Sequence, residues 1–182
     1  MKIIGIVGVW DKADERLLFW QYLKESFEKE FPGSEFITEH EYYMFWEIRK
    51  IKEFITRIIA TYDNGEELIF VGHSLGGLVA LVSAIRLKNS KMRLLVTINS
   101  PHAVVPLRKA LGIVPRKFDF PVLSFAGMFD VIVPFFVSKY KYATKHKILK
   151  SAHLLSYVRD ARFSKQIAEE SWQIYNSSFV SH

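Results

Sequence analysis

Short runs rich in β-branched residues alternate with longer runs of helical period along the whole chain, and this alternation restricts the fold more than any other feature. Lys2 to Val9 reads as a buried strand. A helix is predicted from about Asp14 to Glu30, with Trp20, Leu23, Phe27 and Phe31 three or four apart, and Pro32-Gly33-Ser34 ends it. Glu35 to Thr38 is a short strand. A second helix is predicted from about Phe45 to Tyr62, with Ile48, Ile51, Ile55, Ile58 and Tyr62 on one face, closed by Asp63-Asn64-Gly65. Glu67 to Val71 is a strand, and Leu75 to Leu87 is a helix so apolar all round that it belongs deep in the fold. Arg93 to Ile98, Val122 to Ala126 and Lys145 to Leu149 complete the strands, and Phe163 to Tyr175 is a terminal helix.

Strands that alternate with helices imply a parallel sheet covered on both faces, an α/β three-layer sandwich. A length of 182 residues suits one domain, 1–182, and no linker, repeat or low-complexity tract divides it. In such sheets ligands bind beyond the carboxyl ends of the strands, so functional residues are expected just after each one.

Composition narrows the chemistry. There are no cysteines, which excludes a disulfide framework, a thiolate nucleophile and any Cys-ligated metal. No His cluster points to a metal site; His40 between Glu39 and Glu41 reads as a solvated loop. The formal charge of +6 is mild and its carriers look scattered, so a generic solvated surface is expected rather than a nucleic-acid interface. Neither a G-x-x-x-x-G-K-[ST] loop nor a G-x-G-x-x-G fingerprint is present. The apolar start meets Asp11 without a small-residue cleavage site, and Phe120 to Val137 is interrupted by Pro121, Gly127, Asp130 and Pro134. A cytoplasmic protein with no stable membrane insertion is expected.

The strongest motif is Gly72-His73-Ser74-Leu75-Gly76-Gly77, a G-x-S-x-G between a strand and an apolar helix. A strand that turns abruptly into a helix strains the serine backbone, and side chains at the flanking positions would collide with the adjoining elements. The hydroxyl is then presented at the sheet edge, and the Leu75 amide faces the space of a developing oxyanion. The competing reading is a Gly-rich packing turn with an idle serine. A serine needs a base. Of the six histidines, His153 stands just beyond the last strand; His73 is turned away by its place on the elbow, His146 lies within a strand and His182 ends the chain. The base needs an acid to hold its tautomer. Asp130, embedded in Gly127 to Pro134, is a costly carboxylate unless paired. As alternatives, His153 caps the following helix and Asp130 forms a turn with its own backbone.

These pieces resemble the α/β-hydrolase superfamily, in particular small lidless serine esterases and lipases. The resemblance rests on Gly72 to Gly77, Gly127 to Pro134, Ser151-Ala152-His153 and the Asn99-Ser100-Pro101-His102 turn, and extends from Lys2 to about Asp160. It implies a minimal fold of about six parallel strands and a Ser74–Asp130–His153 triad in the superfamily's chain order. The implied oxyanion donors are the backbone N–H groups of Leu75 and of Trp10 or Val9, where Val7-Gly8-Val9-Trp10 departs from the common His-Gly.

The carboxyl-edge loops contain Trp10, Tyr42, Tyr43, Met44, Phe45, Phe129, Phe135 and Phe136, which suits an apolar cleft. Trp10, Tyr43, His102 and Phe135 are the candidate substrate contacts. No insertion has the length of a large lid. The expected activity is cleavage of a short or medium acyl ester through an acyl-enzyme, without a cofactor, on a small-molecule substrate. A thioesterase, an acyltransferase, or a non-catalytic binding protein on the same scaffold are the alternatives.

Overall fold

The computed structural model describes residues 1–8, 14–151 and 161–179. Its elements in chain order are β1 (Lys2–Ile6), α1 (Asp14–Glu30), β2 (Glu35–Glu39), α2 (Ile48–Tyr62), β3 (Glu67–His73), α3 (Leu75–Arg86), β4 (Lys91–Ile98), α4 (Val105–Leu111), β5 (Val122–Gly127), α5 (Phe135–Ser138), β6 (Lys145–Leu149) and α6 (Ala161–Phe179). The six strands form one sheet in the order β2-β1-β3-β4-β5-β6, and every neighbouring pair is parallel.

Alternation along the central strands divides the core in two. Leu68 and Phe70 of β3 and Leu95 of β4 point to the layer of α2, α3 and α4. Ile69, Val71, Leu94, Val96 and Ile98 point to the opposite layer, where Phe19, Leu23 and Phe27 of α1 meet Ile167 and Ala168 of α6. Residues two apart on a strand share a face, so each central strand is apolar on both sides, as a sheet covered by helices on each face requires. The three layers and the parallel sheet are those expected from the alternation.

Helix α3 is buried from Leu75 through Ala84, in keeping with its unbroken apolar composition. Helix α2 is amphipathic, burying Ile51, Phe54, Ile55, Ile58 and Tyr62. It begins at Ile48, three residues later than its hydrophobic period suggests. A turn over 44–47 precedes it, in which the Glu47 amide donates to Met44 O at 3.0 Å and the Met44 amide donates to the Glu47 carboxylate at 2.7 Å. Strand β1 stops pairing with β3 at Ile6, earlier than the apolar run to Val9 suggests. Two short helices, α4 and α5, have no counterpart in the sequence periodicity. No described helix is long and apolar enough to cross a membrane.

The sheet grows in one direction from β1 to β2 and in the other from β1 through β3 to β6. This reversal opens a crevice at the carboxyl ends of β1 and β3. Gly8 and Ser74 stand side by side at these strand ends.

Candidate active site

Ser74 is the single residue between β3 and α3, and its backbone lies at φ 53°, ψ −129°. This is the first central position of a type II′ turn, a region that L side chains enter only under strain. The structure holds it there from both sides. The Ser74 amide donates to Ile98 O of β4 at 2.8 Å, and the Gly77 amide donates to Ser74 O at 3.1 Å. The flanking glycines are sterically required. A Cβ on Gly72 would fall 2.5 Å from Gly77 Cα, and one on Gly76 would overlap the carbonyl oxygen of Ile6. Helix α3 therefore starts hard against the end of β1, with its free amides at the crevice.

Gly8 lies directly beside this elbow. A Cβ there would be 2.9 Å from Ser74 Cβ and 3.3 Å from the Leu75 nitrogen. The chain leaving β1 thus passes within contact of the serine and of the Leu75 amide. Val9 and Trp10, the candidates for the second oxyanion donor, lie outside the described residues.

Asp130 follows β5, two strands from β3, so one strand spacing of about 5 Å on either side of β4 separates its strand from the serine's. It is 5% exposed. Its Oδ1 accepts the amides of Ile132 at 2.9 Å and Val133 at 2.8 Å. The turn-forming role raised from the sequence is therefore present, and both of those bonds fall on one carboxylate oxygen. The chain beyond β6 runs beside this turn: the Phe129 amide donates to Ser151 O at 3.0 Å, and the Met128 amide donates to Leu149 O at 2.8 Å. His153 follows two residues after Ser151 and lies outside the described residues.

Asn99 opens the Asn99-Ser100-Pro101-His102 turn that the sequence marks after β4. It ends β4 at φ 48°, fully buried. Its Oδ1 accepts the Gly127 amide at 2.7 Å, which ties the ends of β4 and β5 together below Asp130. An Asn directly after a strand tolerates such a left-handed backbone.

Two candidate substrate contacts lie in the core. Tyr43 is 0% exposed; its ring packs on Phe54, and its hydroxyl donates to Val7 O at 3.3 Å, behind the crevice wall rather than in it. His102 is buried as well. Its Nε2 shares a hydrogen bond of 3.0 Å with Thr97 Oγ1, and its ring meets Tyr140 edge-on. Burial, followed by the charges of His146 and Arg108, pushes its pKa down to about 3, so it is neutral at pH 7. Both residues stand where a loop dives back into the core, and their types alone do not reveal this. Phe135 is exposed at the start of α5, against Phe136. His73 is turned from the crevice and packs its ring on Phe19 of α1.

Comparison with known proteins agrees with this architecture. The family model described as the PGAP1-like alpha/beta domain matches residues 27–114, which include the Ser74 elbow. No curated protein matches the sequence. In structure the chain is similar to Est1E from Butyrivibrio proteoclasticus, at 15% identity over 96% of this chain and 88% of that one, with a TM-score of 0.68. It is similar to human thioesterase 2, at 15% identity over 98% and 97% of the two chains and a TM-score of 0.60. It is also similar to the esterase domain of a Rhodothermus marinus protein, at 15% identity over 96% and 86% and a TM-score of 0.60. With six parallel strands in this order and a strained serine between β3 and α3, the chain has the α/β-hydrolase fold.

Proposed function

We propose that the chain is a serine hydrolase that cleaves a carboxylic ester of short or medium acyl length through an acyl-enzyme. The observation that carries the reading is the Ser74 backbone, held at φ 53° at the head of a buried helix beside Gly8. Strain of this kind has a structural cost that a packing turn with glycine would avoid.

In the proposed mechanism the Ser74 hydroxyl attacks the ester carbonyl while the His153 imidazole takes its proton. The Leu75 amide and an amide from the loop after Gly8, that of Trp10 or Val9, stabilise the oxyanion. His153 then protonates the departing alkoxide, and water repeats the sequence on the acyl-enzyme. Asp130 orients the imidazole; its buried carboxylate, on the turn that the Ser151 strap runs beside, supports that role. Phe135 and Trp10 are the proposed apolar contacts for the acyl or alcohol group. No cofactor enters these steps.

A fluorophosphonate probe and a panel of p-nitrophenyl esters of increasing chain length test the proposal. Wild type is expected to be labelled and to turn over the shorter esters, and Ser74→Ala to lose both. Turnover that survives Ser74→Ala removes the serine mechanism. Labelling without ester turnover redirects the search to thioesters or acyl transfer, which use the same groups.

A further inference from the structure

Strand β4 leaves the sheet at Asn99 without giving up its last bond to β5. The Asn99 amide donates to Phe125 O at 2.8 Å. In a parallel ladder the residue making that bond would accept the Gly127 amide on its own carbonyl. At φ 48° the Asn99 backbone has turned out of the ladder, and the side-chain Oδ1 accepts the Gly127 amide at 2.7 Å in its place. The carboxamide thus stands in for a strand carbonyl, and the chain is free to run on into the Ser100-Pro101-His102 turn.

This bond sits in the middle of a belt across the carboxyl ends of β3, β4, β5 and β6. The Ser74 amide donates to Ile98 O at 2.8 Å, which joins the elbow after β3 to the end of β4. Asn99 joins β4 to β5 through Gly127. Gly127 opens the next turn, its carbonyl accepting the Asp130 amide at 3.3 Å. The Met128 and Phe129 amides then join this turn to Leu149 O and Ser151 O, on the chain leaving β6. A Cβ on Gly127 would fall 2.6 Å from Ser151 O and 3.3 Å from Asn99 Nδ2, so the turn, the Ser151 strap and the carboxamide meet at one place. The other bonds named in this belt join backbone atoms. The Asn99 carboxamide is the link that a substitution takes away.

We propose, resting on the hydrolase reading, that Asn99 is a positioning residue for the acid of the site. It fixes how far the Asp130 turn stands from the Ser74 elbow and from the Ser151 strap, and so aligns the carboxylate with the His153 imidazole. Asn99 is 0% exposed, so its effect reaches the chemistry through Asp130 rather than through a contact with substrate. Without its oxygen the Gly127 amide loses its acceptor, and the turn settles at a different distance from the elbow. A misplacement on the order of 1 Å costs an enzyme about 10²-fold in rate. A carboxylate that withdraws from an imidazole also lets the imidazole pKa fall, because less negative charge favours its protonated form.

A double-mutant cycle on the full chain tests this, read by kcat, KM and pH profile on p-nitrophenyl esters, with thermal melts to show that each variant is folded. Asn99→Gly removes the carboxamide and leaves the positive φ unstrained, and Asn99→Asp keeps an acceptor at the same place. Asn99→Ser, which also withdraws the oxygen from the Gly127 amide, repeats the cycle with a smaller change. Asn99→Gly is expected to lower kcat about 10- to 100-fold with KM within about twofold, and Asn99→Asp to recover most of the rate. The acid limb of the kcat profile is expected to move to lower pH in Asn99→Gly. In an Asp130→Asn background the same change is expected to cost less than about twofold, since the group it aligns is already gone. Full activity in folded Asn99→Gly and Asn99→Ser, an equal loss in both backgrounds, or an unmoved acid limb overturns the proposal while Ser74→Ala still abolishes turnover. Wild type that turns over no ester, or turnover that survives Ser74→Ala, is instead the failure of the hydrolase reading and removes both.

Discussion

Asp130 forms the turn after β5 and, in the proposed mechanism, also orients the imidazole, and substitution can separate the two. A carboxamide keeps an oxygen to accept the Ile132 and Val133 amides but has no charge to steady an imidazolium. Asp130→Asn is therefore expected to lower kcat by roughly 10³- to 10⁴-fold with little change in Tm. Asp130→Ala also loses the turn, at a cost of about 1–3 kcal/mol in urea denaturation. An Asn variant with full activity would reduce Asp130 to a turn former. His102 offers a second test. It is neutral when folded because burial, His146 and Arg108 lower its pKa to about 3, whereas its unfolded value is near 6.5. Between these values the unfolded chain binds the extra proton, so stability falls as pH falls. The loss is about 1.4 kcal/mol for each unit below 6.5. His102→Gln is expected to remove this share of the slope between pH 7 and 5, a range above the ordinary carboxylate titrations. Equal slopes in both proteins would show that His102 titrates normally. At this scale the elbow was legible because glycine, serine and glycine have one steric explanation between a strand and a helix. Tyr43 and His102 were not, because an aromatic or imidazole ring suits a cleft and a core equally well.

Helix α6 illustrates how elements are held. Ile167 and Ala168 are fully buried against the sheet, Phe31 meets Trp172 edge-on, and Glu170 receives Lys145 and Lys147 of the edge strand β6. Apolar burial outweighs partly exposed ion pairs. Ile167→Ala is expected to cost about 2–5 kcal/mol and Glu170→Gln about 1 kcal/mol or less, both read from chemical denaturation. The reverse ranking would mean that the ion pairs fasten the helix. The long elements were readable because a dozen or more residues of helical period, or a strand bounded by turn residues, carry their own signal. Helices α4 and α5 span seven and four residues, too few to show a period, and α5 takes its place from contacts with β5 and the loop after β4.

At the scale of the whole molecule, strand order and charge distribution were legible to different degrees. A parallel sheet followed from the alternation, but the placing of Gly8 beside Ser74 depends on β1 lying next to β3, which no local pattern states. Net charge averaged over the chain concealed that residues 101–150 hold nine Lys or Arg against Asp119 and Asp130 alone. The Ser74 backbone has a consequence for the stability of the entire fold. Glycine takes φ 53°, ψ −129° freely, so Ser74→Gly is expected to raise Tm by about 2–4 °C while abolishing labelling, and a lower Tm would show that the elbow is unstrained. Pressure for durability alone would drift this position toward glycine.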